Sequence, residues 1–287
     1  MLIEIILFLL FGILTGIFTG LIPGVHINMV GSLIASSSLL IFANINPVYL
    51  IVFIVSMSIT HVFIDFIPSI FLGAPESGTE LSVLPGHEML KGGLGVQAVH
   101  LTSLGCLIGL FIFVLMIFPL SLITKTFSDS GISQKIIPIV LIFVSLNVVF
   151  TEKRKFSALL AFLLSGVLGL IVLNLELKEP LVPLLTGLFG MSSVLLSIKT
   201  KTKIERQKAN EEVRIKKFKP ILASAVFSPL SLFFPALSSG QIAVIGNRFS
   251  KSDKKEFLFM LGIINILAMS FSFLALFSFP LLHHQNL

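Results

Sequence analysis

The stretch NPVYLIVFIVSMSITHVFIDFIP (46–68), followed closely by FLGAPESGTELSVLPGHEMLKGGLG (71–95), decides how this chain folds. The first part is an apolar run of about 20 residues, the length that crosses a bilayer as one helix. The second part places two prolines, several glycines and three carboxylates where the chain should still lie in hydrocarbon. Pro75 and Pro85 are expected to stop helices there. Non-helical backbone at that depth is tolerated only inside protein or beside a water-filled cavity. The stretch therefore predicts a broken, re-entrant membrane segment, and a surface loop between two spans is the alternative.

The composition of the whole chain agrees with a membrane environment. The 287 residues are 55% hydrophobic and only 12% charged, and the mean hydropathy is +1.04. Soluble domains carry about 25% charged residues. Apolar runs close to membrane-spanning length recur from end to end. The sequence thus predicts an all-α polytopic membrane protein, with about 7–10 transmembrane helices or helical hairpins.

The net charge of +6 collects in short loops. The basic loops are 152–155, 199–219 and 247–256. Lys and Arg are retained on the cytoplasmic side of membrane proteins, so all three loops are predicted to face the cytoplasm. Binding of anionic lipid headgroups is the alternative use of such loops. The distribution argues against nucleic acid as a partner and for membrane lipid.

The loops and breaks divide the chain into three parts. Residues 1–198 form a first membrane half, with a Pro/Gly-rich hairpin at 67–92. Residues 199–219 form a basic cytoplasmic loop, and 220–287 form a second half with a broken segment at 220–247. The other predicted segments are an apolar hairpin over 3–42, broken at Pro23-Gly24, and spans at 47–66, 97–123, 134–150, 155–173, 180–198 and 256–280.

Two broken segments share one pattern: GLIPGVHINMVGSLI (20–34) and LFFPALSSGQIAVIG (232–246). Each has an apolar half, a proline, a small polar patch and another apolar half. Five predicted spans lie between them if 67–92 is re-entrant. Because five is odd, the two hairpins are predicted to enter from opposite faces, which is the inverted-repeat arrangement of secondary transporters.

These motifs resemble the large membrane subunit of the tripartite tricarboxylate transporters. The matching positions are Pro23-Gly24, the run 74–79, Pro85, Met89 and Gly92. The resemblance implies a permease of the cell membrane that moves small organic anions such as carboxylates. It also implies a small membrane subunit and an extracytoplasmic binding protein as partners.

The chain departs from the family pattern in two places. The family's first hairpin is richer in glycine, and here it contains Glu76 and Glu80. The second half ends at Leu287 before another Pro-Gly-Ser hairpin, so we expect either a short divergent member or an incomplete sequence. Two carboxylates would repel a citrate-type substrate unless they are protonated or bound to a cation.

The predicted substrate-binding residues lie at the breaks, where free N–H groups and polar side chains suit an anion. They are Pro23, Gly24, His26, Asn28, Ser77, Gly78, Thr79, Ser239, Gly240 and Gln241. A hydrogen-bonded pair at a helix start is the alternative for His26 and Asn28.

Acids at membrane depth usually mark ion pathways. Asp65 follows His61 by four residues and shares its helix face; an anchoring pair at the membrane interface is the alternative. Glu76 and Glu80, with neighbouring hydroxyls, suit a hard cation; solvated loop acids are the alternative. Na⁺ or H⁺ is the expected coupling ion, and no other cofactor or metal is expected.

Three classes of function follow from these patterns. The first is a secondary transporter for small organic anions, with alternating access at the broken helices. The second is a translocase for a lipid carrier, because LIPGV (21–25) also resembles a family that recycles polyprenyl phosphate. The third, a membrane enzyme, lacks a nucleophile–base or metal constellation in the sequence.

Overall fold

A computed structural model describes residues 1–25, 45–75, 78–129, 155–175, 206–208, 214–234 and 237–278, with isolated positions between these ranges. The helices are α1 (Leu2–Leu21), α2 (Pro47–Ile64), α3 (Phe66–Leu72), α4 (Val83–Lys91), α5 (Gly95–Asp129), α6 (Lys155–Leu173), α7 (Phe218–Phe227), α8 (Leu230–Phe233), α9 (Ser239–Ser250) and α10 (Lys254–Ser278), with a 3₁₀ turn at Glu80–Ser82.

Five segments of this described part are long and apolar enough to cross a membrane. They are Leu2–Leu21, Pro47–Leu72, Gly95–Thr124, Lys155–Val172 and Lys254–Ala275. The described residues contain no strand. The predicted class, an all-α polytopic membrane protein, is confirmed.

Local sequence signals set where the long helices begin. Asn46 caps α2, and its side-chain oxygen accepts the Val48 N–H at 3.0 Å. Asp253 precedes α10 in the same way, and its carboxylate accepts the N–H groups of Lys255 and Glu256 at 2.9 and 2.8 Å. Such caps satisfy N–H groups that have no partner within the helix.

Helices α1 and α2 pack side by side through glycines. The facing pairs are Phe8 with Tyr49, Gly12 with Phe53, Gly16 with Met57 and Gly20 with Ile64. A Cβ on Gly16 would lie 2.4 Å from the Met57 carbonyl oxygen, so the backbones touch. Small residues permit this close approach between membrane helices. Because the residue numbers rise together, α1 and α2 run parallel.

Helices α5 and α10 form the second close pair. The facing pairs are Thr102 with Gly262, Gly105 with Phe259 and Ile263, Gly109 with Ile266, and Phe113 with Phe271. A Cβ on Gly105 would lie 2.2 Å from the Phe259 carbonyl oxygen. The residue numbers again rise together, so α5 and α10 also run parallel.

The two pairs run in opposite directions. The Cys106 thiol lies 3.8 Å from the Val62 carbonyl oxygen, and a Cβ on Gly95 would lie 3.2 Å from the Phe71 ring. Residue numbers therefore rise along α2 and α3 in the direction in which they fall along α5, so α2–α3 and α5 are antiparallel. It follows that α10, which is parallel to α5, is antiparallel to α2.

Residues 206–208 form a strap across the turn between α4 and α5. The Lys208 N–H donates to the Gly93 carbonyl oxygen at 2.8 Å, and the Gly95 N–H donates to Gln207 Oε1 at 2.7 Å. The Gln97 amide donates to the Lys208 carbonyl oxygen. The strap thus ties part of the basic loop to the start of α5.

The start of α10 lies at the same end of the bundle. Lys254 pairs with Glu88 near the end of α4, and the Lys216 N–H donates to Glu256 at 3.0 Å. We call this the basic end, defined by residues 93–97, 206–208 and 254–256. The described parts of loops 199–219 and 247–256 share one end, as their charge predicts. The cytoplasmic assignment, and the position of loop 152–155, stay predictions.

The broken segments approach from opposite ends. Helix α1 starts beside the start of α2, away from the basic end, and reaches Ile64 at Gly20. Helix α7 follows Lys216 at the basic end, and α9 returns there before Lys254. Together with the antiparallel directions of α2 and α10, this is the geometry that inverted repeats produce.

The predicted boundaries need three corrections. The span predicted to end at 66 continues as α3 to Leu72, and Asp65 between the two helices also has helical φ and ψ. The segment predicted to be irregular over 67–92 is mostly helical, and its break is limited to 73–82. Pro85 does not stop a helix but lies in the first turn of α4, where its missing N–H would have no partner within the helix.

The second break also differs from its prediction. Gly240 lies inside the first turn of α9, so the interruption falls before it, between Phe233 and Ser239. The predicted helices at 97–123, 155–173 and 256–280 are present. The predicted spans at 134–150 and 180–198 lie largely outside the described residues.

Candidate functional site

The break at 73–82, here called the first break, and the break between Phe233 and Ser239, the second break, meet at Asn265 of α10. The Ser239 hydroxyl donates to Asn265 Oδ1 at 3.0 Å. A Cβ on Gly78 would lie 2.3 Å from the same Oδ1 and 2.6 Å from the Ser239 hydroxyl. At about 1.5 Å per residue, Asn265 lies about 16 Å along α10 from Lys254. This point is therefore near the middle of α10, a helix long enough to cross a bilayer core of about 30 Å.

The first break reaches this point through a turn that requires glycine. Gly78 has φ of +102°, a conformation that side-chain-bearing residues rarely adopt. Its N–H donates to Glu80 Oε2 at 2.9 Å. That carboxylate also faces the second break, because a Cβ on Gly240 would lie 3.6 Å from Oε2. We call Gly78, Glu80, Ser239, Gly240 and Asn265 the tip junction.

Hydrogen bonds between buried hydroxyl groups stabilise the first break. The Ser69 and Ser82 hydroxyls lie 2.7 Å apart, and the Ser82 hydroxyl also donates to the Thr79 carbonyl oxygen at 2.6 Å. All three residues are fully buried. Thr79, predicted to bind substrate, thus belongs to the turn that holds Gly78 in place.

The second break ends in a capping box at the start of α9. The Ser238 hydroxyl accepts the Gln241 N–H at 3.2 Å, and the Gln241 side chain accepts the Ser238 N–H at 3.0 Å. The Gln241 amide oxygen, predicted to bind substrate, is therefore used for the cap. A helix start carries a partial positive charge, and here it lies beside Asn265.

The position of Glu80 changes the pKa of its carboxyl group. Although the residue as a whole is exposed, burial of its carboxyl group raises the pKa. The N–H groups of Glu80 and Gly78 donate to the carboxylate and lower the pKa by a smaller amount. A carboxyl with a raised pKa within the tip junction takes up a proton more readily than a solvated one.

The other predicted ion-coupling residues form a separate group near the end of α1. His61 Nδ1 lies 3.0 Å from the Thr19 hydroxyl. His61 and Asp65 are 2% and 3% exposed. This burial speaks against an anchoring pair at the membrane interface. We call Thr19, His61 and Asp65 the His61 cluster.

The first Pro-Gly turn follows directly on this cluster. Helix α1 ends at Leu21, and Gly24 has φ of +91°, as the Pro23-Gly24 break predicts. His26, Asn28, Glu76 and Ser77 lie outside the described residues, so their predicted roles stay predictions. Within the described part of the chain, no three His, Cys, Asp or Glu side chains group to hold a metal ion.

Sequence reasoning missed Asn265. The residue lies in the apolar run MLGIINILAMS (260–270), where a polar amide is costly unless it is used. That isolated amide was the available signal. Ser69 and Ser82 carried no comparable signal, because serines are common in the helix-packing faces of membrane proteins.

A bundle of apolar helices in which two breaks meet beside the middle of a long apolar helix is typical of a membrane transport protein. Comparison with known proteins gives the family. The chain belongs to the tripartite tricarboxylate transporter TctA family, whose model matches residues 6–281. The resemblance seen in the sequence is thereby confirmed.

One similar protein is the Uncharacterized protein MJ1079 of Methanocaldococcus jannaschii. It is 32% identical over 275 residues, which cover 94% of this chain and 68% of the relative. No solved structure matches the chain. The family consists of components of tricarboxylate transporters that work with a small membrane subunit and a binding protein. The chain is accordingly a multi-pass membrane protein of a transporter family.

Proposed function

We propose that this chain is the permease of a tripartite system and moves small organic anions of the carboxylate class, driven by Na⁺ or H⁺. The observation that carries the proposal is the meeting of both breaks at Asn265, near the middle of the membrane-spanning helix α10. Substrate sites of secondary transporters lie at such broken helices.

The chemistry of the tip junction favours an anion. The start of α9 supplies the positive end of a helix, and the first N–H groups of a helix have no partner within it. The Ser239 hydroxyl and the Asn265 amide add neutral hydrogen-bonding groups. A carboxylate can accept several such hydrogen bonds at once.

Glu80 supplies a route for coupling. A negative charge at Glu80 would repel an anionic substrate beside Gly240. Protonation of Glu80, or a cation bound to it, removes that charge. Cation and substrate would then bind together, each raising the affinity for the other by the same factor. The His61 cluster is the second candidate for the coupling ion, because buried acids at membrane depth mark ion pathways.

The opposite directions of the α1–α2 pair and the α5–α10 pair support an inverted-repeat movement. In inverted repeats, each half can adopt the conformation of the other, which exposes one site to the two faces in turn. The partners proposed for this cycle are a small membrane subunit and an extracytoplasmic binding protein that delivers substrate. The cell membrane is the proposed location.

The test is counterflow in proteoliposomes that contain the purified chain with its two partner components. Vesicles loaded with an unlabelled carboxylate should accumulate the same carboxylate in labelled form. An inward Na⁺ or H⁺ gradient should drive net uptake without preloading. The proposal fails if mono-, di- and tricarboxylates all show neither exchange nor gradient-driven uptake in vesicles that retain folded protein.

A further inference from the structure

We infer that Asn265 donates a hydrogen bond directly to a carboxylate of the substrate and thereby sets the preference for carboxylates. This inference rests on the proposed function and assigns a specific contact within it. Three features of Asn265 carry it: its burial, the state of its two amide atoms, and the groups that surround it.

The oxygen and the nitrogen of the Asn265 amide differ in their hydrogen bonding. The side chain is 6% exposed. Its Oδ1 accepts the Ser239 hydroxyl at 3.0 Å, while Nδ2 is buried and has no hydrogen-bond partner among the described residues. A buried donor without an acceptor is unfavourable, so such groups in native proteins call for an explanation. A ligand oxygen would satisfy this donor.

Ser239 positions the amide for this task. Because its hydroxyl donates to Oδ1, the NH₂ group remains as the available part of the side chain. Oδ1 also lies against the Gly78 backbone, where even a Cβ would not fit. The Oδ1 side of the amide is therefore held by both breaks, and Nδ2 is the polar atom left without a partner among the described residues.

The surroundings select an anion over a cation. A cation bound here would share Oδ1 with the Ser239 hydroxyl and would leave Nδ2 without an acceptor. A carboxylate needs donors, and Asn265 lies beside the first turn of α9, whose first N–H groups carry the positive end of the helix dipole. A carboxylate that bridges Nδ2 and the start of α9 would satisfy both.

The decisive experiment compares Asn265→Asp with Asn265→Leu. Both replacements have the same number of side-chain heavy atoms as Asn. Asp removes the donor and adds a like charge, whereas Leu removes both the donor and the acceptor of the Ser239 hydrogen bond without adding a charge. Carboxylate affinity is measured by counterflow and, independently, by the thermal shift that carboxylates give the purified chain. We expect Asn265→Leu to weaken affinity about 10- to 100-fold. Asn265→Asp should weaken it further, most of all for tricarboxylates.

The matched control is Ser270→Ala in the same helix. Ser270 is also buried, and its hydroxyl likewise has no hydrogen-bond partner among the described residues. This variant should keep the carboxylate affinity within about twofold. Should Asn265→Asp fail to fold, Asn265→Ser, which removes the amide without adding a charge, takes its place.

The outcomes separate this inference from the proposed function. If the wild type transports carboxylates and both Asn265 variants keep its affinity, Asn265 only packs and the inference is wrong. If Asn265→Asp binds carboxylate as well as or better than wild type in the presence of Na⁺, the residue is a cation ligand and the inference is again wrong. If the wild type moves no carboxylate, both proposals fail together.

Discussion

The break at 73–82 and the break before Ser239 both contact the Asn265 amide, but they do so by different means. The first uses a backbone conformation: Gly78 turns at φ of +102° and leaves no room for a Cβ. The second uses side chains: Ser238 and Gln241 cap α9. A backbone turn of this kind has no substitute among the other amino acids, whereas several side chains can cap a helix. The first break should therefore tolerate far less change than the second.

The largest effect is expected from Gly78→Ala. The substitution forces Ala into a positive φ and drives its Cβ against Asn265 and Ser239. We expect the free energy of unfolding to fall by about 2–5 kcal/mol, the sum of backbone strain and overpacking. Thermal unfolding of the purified variant in detergent measures the loss.

Gly73→Ala is the matched control for this substitution. Gly73 also has positive φ, at +64°, but the nearest atom to an added Cβ is 3.5 Å away. It should cost only the backbone strain, about 1–2 kcal/mol. Equal losses at the two glycines would show that contact with the second break adds nothing.

An intermediate effect is expected from Ser238→Ala. The substitution removes the acceptor for the Gln241 N–H, and a lost N-cap costs about 1 kcal/mol. Ser238→Asp, which keeps a capping oxygen, should restore most of the stability. Unfolding temperatures of the two variants check this, and a Ser238→Asp protein no more stable than Ser238→Ala would contradict the cap as the cause.

The smallest effect is expected from Glu80→Gln and shows as a change in pH dependence. The pKa of Glu80 is raised above its ordinary value of 4.5 in the folded protein, chiefly by burial. Its contribution to stability is therefore fully present below that ordinary value and is lost as pH rises through the folded pKa.

Gln can still accept the Gly78 N–H but does not titrate in this range. The wild type should thus lose more stability than Glu80→Gln as the pH is raised from about 4 to about 8. Unfolding temperatures across this range measure the difference. Parallel pH profiles for the two proteins would mean that Glu80 is solvated like an ordinary surface acid.

Features that depend on local sequence were predictable. Prolines and glycines that stand together with polar residues favour interruptions, so the breaks after Leu21, after Leu72 and before Ser239 were predictable from local sequence. Loop charge likewise placed two basic loops at one end, as the contacts of Lys208 and Lys254 show. The prediction that Pro85 stops a helix was wrong because the first turn of a helix accepts proline as readily as a loop does.

Features that depend on contacts distant in sequence were not predictable. Asn265 lies 26 residues from Ser239 along the chain, and its role is visible only when both breaks are placed in space. The same holds for the partner of His61. The spacing of His61 and Asp65 predicted that they share a helix face, but nothing in the sequence pointed to Thr19, which lies 42 residues earlier. A single sequence carries the residue types of such a site but not their pairing.

The strap over the α4–α5 turn also has a consequence for synthesis. The Gly95 N–H finds its partner, Gln207, 112 residues later in the chain. At about 5–20 residues per second, the ribosome makes this stretch in about 6–22 s. During that delay the turn must rely on water or on the insertion machinery for its hydrogen bonds. The hydrogen bonds of the first half are thus completed only after the basic loop 199–219, which precedes the second half, has left the ribosome.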